Sequence, residues 1–234
     1  MTVKTSWMRK LVAIAAVTAA FVAGQRASAT SMAITEWMYS PGTGTNPGPG
    51  EFYELTNLSG APIDMTGWSQ DDNNRTAGKH SLSAFGVVQP RESVIGTEGS
   101  DASAFKTYWN LPASVKVIAY GSSDGLGRPD EINIYDSTNA LVDRLTYDDQ
   151  TIGGLRTQGT SGNIAVTNLT GNHANFAVAS NVGDTYLSYR GGLGVANSDV
   201  GNPGVYALVP EPTSLVLATI SAVIALAFAA RCRA

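Results

Sequence analysis

Residues 51–68 read EFYELTNLSGAPIDMTGW, and this stretch decides the fold class. Its first part, EFYELTN, carries aromatic and β-branched side chains, which favour an extended strand. Asn, Ser, Gly and Pro follow in NLSGAP, and these residue types are typical of turns. The stretch therefore predicts a short strand that ends in a turn.

Similar short runs lie on both sides of this stretch and are separated by loops rich in Gly, Pro, Asn and Asp. They read MAITEWMY (32–39), ESVIG (92–96), SVKVIAY (114–120), EINIYD (131–136) and ALVDRLTY (140–147). STNA, which joins the last two runs, predicts a hairpin turn. Short strands with regular turn signals predict an all-β sandwich or barrel.

One segment departs from this pattern and predicts a single short helix over residues 100–112. Ser100 or Asp101 is suited to cap its start, and Phe105 and Trp109 lie four residues apart on one face. Pro112 ends it. Beyond residue 150, NIAVTNLT and ANFAVAS are candidate strands within a less regular region.

The order of residues in the first strands resembles the opening of the lamin tail domain, an immunoglobulin-like β-sandwich. ITEWMYSP is followed by Glu51, Phe52, Glu54, Leu55, Asn57, Ile63-Asp64 and Gly67-Trp68. The resemblance is good over residues 31–148 and looser over 149–204, where DVGNPG is similar to the end of the domain. It implies an all-β immunoglobulin-like sandwich over residues 30–208. QPRE lacks the Gly that the family has after Pro90, which puts that turn in question.

Glu54 stands out within this predicted strand because a charged residue is unusual in a core strand. Two interpretations remain open. The side chain points to solvent at a sheet edge, or it accepts hydrogen bonds from a neighbouring turn.

The N-terminal 29 residues have the pattern of a secretory signal peptide. Lys4, Arg9 and Lys10 precede an apolar run, and small residues, Ala27 and Ala29, stand at positions −3 and −1 of a cleavage site. We expect a signal helix that is recognised by the secretion machinery and removed by signal peptidase. The alternative is an uncleaved anchor, but the apolar run is shorter than the roughly 20 residues that a span needs.

The C-terminal segment 209–234 has three parts that resemble the PEP-CTERM sorting signal of bacterial exported proteins. Pro210, Glu211 and Pro212 come first, an apolar helix over 214–230 is expected next, and Arg231 and Arg233 follow. Positive charge beside a membrane span stays on the cytoplasmic side, so the body would face outward. The resemblance implies cleavage by an exosortase-type membrane protease. The alternative is a permanent single-span anchor.

Composition excludes several classes of function for the body, residues 30–208. It has 18 acidic and nine basic residues, and this net charge of −9 disfavours nucleic acid as a partner. The single cysteine, Cys232, lies outside the body, so the body has no disulfide. The two histidines, His80 and His173, lack the sequence context of a catalytic site and are too few for zinc. We expect no catalytic residue.

The acidic loops are the best candidates for a ligand, with Asp124, Asp130 and Glu131 as the first calcium candidates. Their spacing does not match an EF-hand, and solvated turns in which Asp and Asn bond their own backbone are the favoured interpretation. No cofactor is therefore expected, with calcium kept open. Aromatic residues such as Trp37 and Tyr120 are more typical of core than of a glycan site.

Together these features predict an exported, non-catalytic structural or interaction module of the cell envelope or extracellular matrix. Its expected partners are the export and sorting enzymes and an envelope or matrix polysaccharide or protein. The alternative is a calcium- or glycan-dependent adhesion module.

Overall fold

The computed structural model describes residues 32–42, 49–121, 125–165, 177–194 and 197–207. Within them the chain is mostly β-structure, in agreement with the immunoglobulin-like sandwich expected from the sequence. The predicted signal helix and the predicted membrane helix over 214–230 lie outside the described residues. Within the described ranges, none of the helices is long and apolar enough for a membrane span.

The larger sheet has six strands in the order β12-β11-β1-β2-β7-β8. All neighbouring pairs are antiparallel except β7 and β8, which run parallel. The strands, from one edge to the other, are β12 (Ala177–Ala179), β11 (Gly162–Ile164), β1 (Met32–Met38), β2 (Phe52–Asn57), β7 (Ser93–Thr97) and β8 (Lys116–Ala119).

The second sheet has four antiparallel strands in the order β10-β9-β4-β5. They are β10 (Leu141–Tyr147), β9 (Asp130–Tyr135), β4 (Ser69–Asp71) and β5 (His80–Ser81). Two small ribbons complete the strands of the described ranges: β3 (Ile63–Asp64) with β6 (Val87–Val88), and β13 (Tyr189–Arg190) with β14 (Val200–Gly201).

The main core lies between the two large sheets. Ile34, Leu55 and Val94 of the larger sheet pack in one cluster with Ile132 and Leu145 of the second sheet. Trp68, which follows Gly67 at φ +80°, belongs to the same cluster and is 9% exposed. Its ring therefore covers part of the core.

The other face of the larger sheet is covered as well. Helix α1 (Ala102–Tyr108) is capped at its start by Asp101, whose side chain accepts a hydrogen bond from the Ser103 N–H at 2.8 Å. On this face of the sheet, Phe105 and Trp109 pack against Phe52 of β2. Both faces of β1 and β2 are therefore buried, which explains why these strands do not alternate between apolar core and solvent.

A β-bulge in β1 decides which side chains face which layer. The register of β1 on β2 shifts between Ile34 and Glu36. A bulge adds one residue to a strand and so reverses the alternation of its side chains. Ile34 and Trp37 face the main core, whereas Met38 faces the helix.

The longer strands, the helix and the 137–140 turn follow the sequence prediction closely. The two-residue strands β3, β5 and β6 were not predicted, and the helix is shorter than residues 100–112. The questioned turn after Pro90 is formed even without Gly, because Arg91 itself adopts φ +66° and its N–H donates to the Asn57 carbonyl at 2.7 Å.

Candidate functional site

Two carboxylic side chains lie side by side inside the protein, on the helix-facing side of the larger sheet. Glu36 of β1 and Glu54 of β2 are directly opposite each other in the antiparallel register. Both are fully buried. Acidic residues are rarely buried unless they are paired or hydrogen-bonded, so their contacts define what this site does.

Glu54 is satisfied by three donors. Its Oε1 accepts hydrogen bonds from the hydroxyls of Thr35 at 2.7 Å and Thr56 at 3.3 Å. Its Oε2 accepts one from the backbone N–H of Gly204 at 2.7 Å. Of the two interpretations of Glu54 from the sequence, the second is therefore correct: the side chain accepts bonds from a turn, here the turn at Asn202–Gly204.

Glu36 holds the same C-terminal segment. Its Oε1 accepts hydrogen bonds from the Asn202 N–H at 2.8 Å and from the Ser161 hydroxyl. Its Oε2 has no partner among the described residues. The pair of carboxyls thus joins the first two strands to a segment that follows them by about 150 residues, as the Glu54–Gly204 separation shows.

The electrostatics of the pair favour the protonated forms. Burial raises the pKa of Glu54 to about 7, against partial compensation by its hydrogen bonds. Burial, and then the charge of Glu54, raise the pKa of Glu36 well above its ordinary value. Two facing carboxylates in an apolar interior cannot both ionise without cost. Since neither is reached by solvent, the pair is suited to structural bonding and not to contact with a substrate.

The calcium candidates differ in what their side chains do. Glu131 forms a bidentate pair with Arg75, at 2.7 Å to Nε and 2.6 Å to Nη2, and also accepts a bond from the Thr146 hydroxyl at 2.9 Å. The Arg75 hydrogen bond lowers the pKa of Glu131 to about 2. Asp130 accepts bonds from the Gly127 and Glu131 N–H groups, at 2.6 and 2.8 Å. Asp124 lies outside the described residues.

Within the described part of the chain, no three acidic, histidine or cysteine residues are gathered as a metal site. His80 lies in β5 beside the Tyr120 ring, with ring centroids 5.1 Å apart. His173 and the predicted processing residues lie outside the described residues: Ala27, Ala29, Pro210, Glu211, Pro212, Arg231 and Arg233.

An open groove of about 550 Å³ lies between the end of helix α1 and the C-terminal segment. Its wall includes Leu111, Val115 and Pro203, and Arg190 is the one charged residue among those that line it. Tyr189 also lines it, and its hydroxyl donates to the Trp109 carbonyl at 2.7 Å. A mainly apolar groove offers contact surface and few groups for chemistry.

Sequence reasoning singled out Glu54 but missed Glu36 as its partner. The only available signal was a second acidic residue within an apolar run, ITEWM. The face of β1 on which Glu36 lies depends on the bulge between Ile34 and Glu36. Such a bulge leaves no clear signal in the sequence when no Gly marks it.

The fold and the buried pair define a β-sandwich of immunoglobulin type whose interior carboxyls serve its structure. The family model of the lamin tail domain matches residues 25–149, which is more than half of the chain. The chain belongs to the lamin tail domain family. This family is in general non-enzymatic, and its domain is a structural or interaction module. No curated protein matches the chain.

Proposed function

We propose that this protein is an exported, non-catalytic structural or interaction module of the cell envelope or extracellular matrix. The observation that carries the proposal is membership of the lamin tail domain family over residues 25–149. The bonding of Glu36 and Glu54 supports it, because these buried carboxyls hold the C-terminal segment and are not open to a substrate.

The proposed location rests on the two ends of the sequence. The N-terminal pattern that closes on Ala27 and Ala29 supports export. The C-terminal order of Pro210-Glu211-Pro212, an apolar run and arginines supports sorting by an exosortase-type membrane protease. After sorting, the partner would be an envelope or matrix polysaccharide or protein.

The experiment compares the intact mass and location of the wild-type protein with those of Glu211→Ala and a control, Thr213→Ala. We expect the wild type and the control to lose both ends and leave the membrane. Glu211→Ala should keep residues 213–234 and remain in the membrane. If wild-type protein also keeps residues 213–234, the tail is a permanent anchor and sorting by cleavage is wrong.

A further inference from the structure

The groove between helix α1 and the C-terminal segment lies where the described chain ends. Val205 and Gly204 line it, and the described residues stop at Ala207. Val205 is 44% exposed, and its carbonyl accepts a hydrogen bond from Asn202 Nδ2 at 2.8 Å. The chain is therefore fixed at the rim of the groove, and the next residues of the sequence start beside it.

The groove offers an apolar wall to a bound segment. Leu111, Val115 and Tyr189 line it and are only partly buried. Tyr189 is held in place, because its hydroxyl donates to the Trp109 carbonyl at 2.7 Å. Proline-rich extended segments bind to grooves that are lined by aromatic side chains in this way.

The groove also carries a positive charge. Arg190 is exposed and is the one charged residue among those that line the groove. Its Nη1 donates to the Ser198 carbonyl at 3.2 Å, and within the described residues it forms no ion pair. A guanidinium has further N–H donors that suit a carboxylate. The groove therefore fits an apolar segment that carries one acidic residue.

The sequence that follows the described chain has these properties. Residues 209–213 read VPEPT, and Glu211 is their only charge and lies between two prolines. Proline fixes φ and lacks an N–H, so such a sequence favours an extended conformation and loses little freedom on binding. Glu211 follows Ala207 by four residues, a reach of up to about 14 Å. It can therefore return to the groove that Val205 and Arg190 both line.

We propose that residues 209–213 dock in the groove of their own domain, with the prolines against the apolar wall and Glu211 paired with Arg190. The uncleaved chain thereby covers its own Pro-Glu-Pro motif, and a processing enzyme binds only the undocked fraction of the chain. This inference deepens the proposed function and rests on it for the role of the motif. The docking itself can be tested without any processing enzyme.

The test measures how fast a maleimide labels a thiol in the groove. The full chain, purified in a nonionic detergent near pH 7, carries Val115→Cys together with Cys232→Ser, so the groove holds its only cysteine. We expect Arg190→Glu and Glu211→Lys each to raise the labelling rate about fivefold, because each replaces attraction by repulsion at the pair. The double variant reverses both charges and should restore the original rate.

The matched control is Arg91→Glu, which makes the same charge change at an exposed arginine that does not line the groove. It should leave the labelling rate unchanged. Equal rates in all variants would overturn the proposal, as would a double variant that labels as fast as the single variants. Protection that increases with protein concentration would place the tail of a second copy in the groove and would also overturn it. If Val115→Cys does not fold, Leu111→Cys serves as the reporter, with the same rates expected.

Loss of residues 213–234 in cells is measured separately. Arg190→Glu uncovers the motif, so we expect it to lose these residues about fivefold faster than the wild type. If none of the proteins loses them but the labelling rates follow the charges, docking stands and sorting by cleavage is wrong. If the wild type is cleaved but the labelling rates are equal, sorting stands and docking is wrong.

Discussion

Glu54 is held by the hydroxyls of Thr35 and Thr56 and by the Gly204 N–H. Glu54→Ala would leave these donors unpaired in the interior, and we expect it to lower the free energy of unfolding by about 2–4 kcal/mol. Glu54→Gln can still accept from Gly204 and can donate to the hydroxyls, so near pH 7 we expect a change below about 1 kcal/mol. Urea unfolding of the three proteins measures this. Equal losses in both variants would show that the bonds are unimportant.

The pH dependence of stability follows from the same residue. The pKa of Glu54 is raised from 4.5 to about 7 in the folded protein, so the folded state binds the proton more tightly than the unfolded chain. The stability that this raised pKa contributes is fully present below pH 4.5 and is lost as the pH rises through about 7. We expect the free energy of unfolding to fall by about 2–3 kcal/mol between pH 5 and pH 8.

Urea unfolding at several pH values checks this expectation, with Glu54→Gln as the comparison. The variant should show a smaller slope but not a flat line, because the pKa of Glu51 and the pKa of Glu36 are raised as well. If the free energy of unfolding of the wild type rises from pH 5 to pH 8, the raised pKa values of these glutamates are contradicted.

Arg91 offers a stabilising substitution. It adopts φ +66° at the turn before β7, and this left-handed conformation costs a residue with a Cβ atom roughly 1–2 kcal/mol. We expect Arg91→Gly to raise the free energy of unfolding by up to about 1 kcal/mol, after the greater flexibility of the unfolded chain is included. Gln89→Gly in the same turn is the control, since Gln89 has no positive φ and the change should destabilise. Equal effects in urea unfolding would exclude relief of strain at Arg91.

At the scale of the strand, Gly96 controls how β7 packs against β2. A Cβ atom at this position would lie 2.7 Å from Tyr53 Cε1 and would overlap the end of the ring. We expect Gly96→Ala to lower the free energy of unfolding by about 1–3 kcal/mol, because Tyr53 is fully buried and must move. The matched control, Gly60→Ala, meets nothing within 4 Å and should change it by less than about 0.5 kcal/mol. Chemical denaturation measures the free energy of unfolding of both variants. Similar losses in Gly96→Ala and Gly60→Ala would contradict this packing of Gly96 against Tyr53.

Strands with enough residues to show a pattern could be predicted from the sequence. EINIYD and ALVDRLTY correspond to β9 and β10, and the capping residue Asp101 was among the two expected. The two-residue strands β3 and β6 are too short for any periodicity, and they form because their neighbours bring them together. The pairing of Glu36 with Glu54 could not be predicted either, since it depends on the bulge and on a segment far along the chain.

At the scale of the whole molecule, the sandwich extends past the residues that match the family. The match ends at residue 149, but β11 pairs with β1 through Trp37 and Gly162, and Asn202 and Gly204 satisfy the buried carboxyls. The folding unit therefore includes the C-terminal part of the described chain.

A truncation series tests this. We expect a chain that ends at residue 149 to lose cooperative unfolding, because it exposes the β1 edge and leaves Glu36 and Glu54 without these donors. A chain that ends at Ala207 should unfold cooperatively, as the full chain does. Tryptophan fluorescence in urea and limited proteolysis provide the measurement. Cooperative unfolding of the shorter chain with full stability would show that residues 150–207 are an appendage.

The attachment of Asn202 and Gly204 to Glu36 and Glu54 also has a mechanical meaning. Tension applied to the C-terminal end of this domain reaches the larger sheet first through the Tyr206 hydroxyl, which donates to the Ile164 carbonyl of β11 at 2.9 Å. It then reaches the two central strands, β1 and β2, through the hydrogen bonds to Glu36 and Glu54. Each of these strands, like β11, is bonded to neighbours on both sides, so the load is divided among inner strands of the larger sheet. The buried carboxyls thus oppose, together with Tyr206, a pulling force that acts on the C-terminal end of the domain.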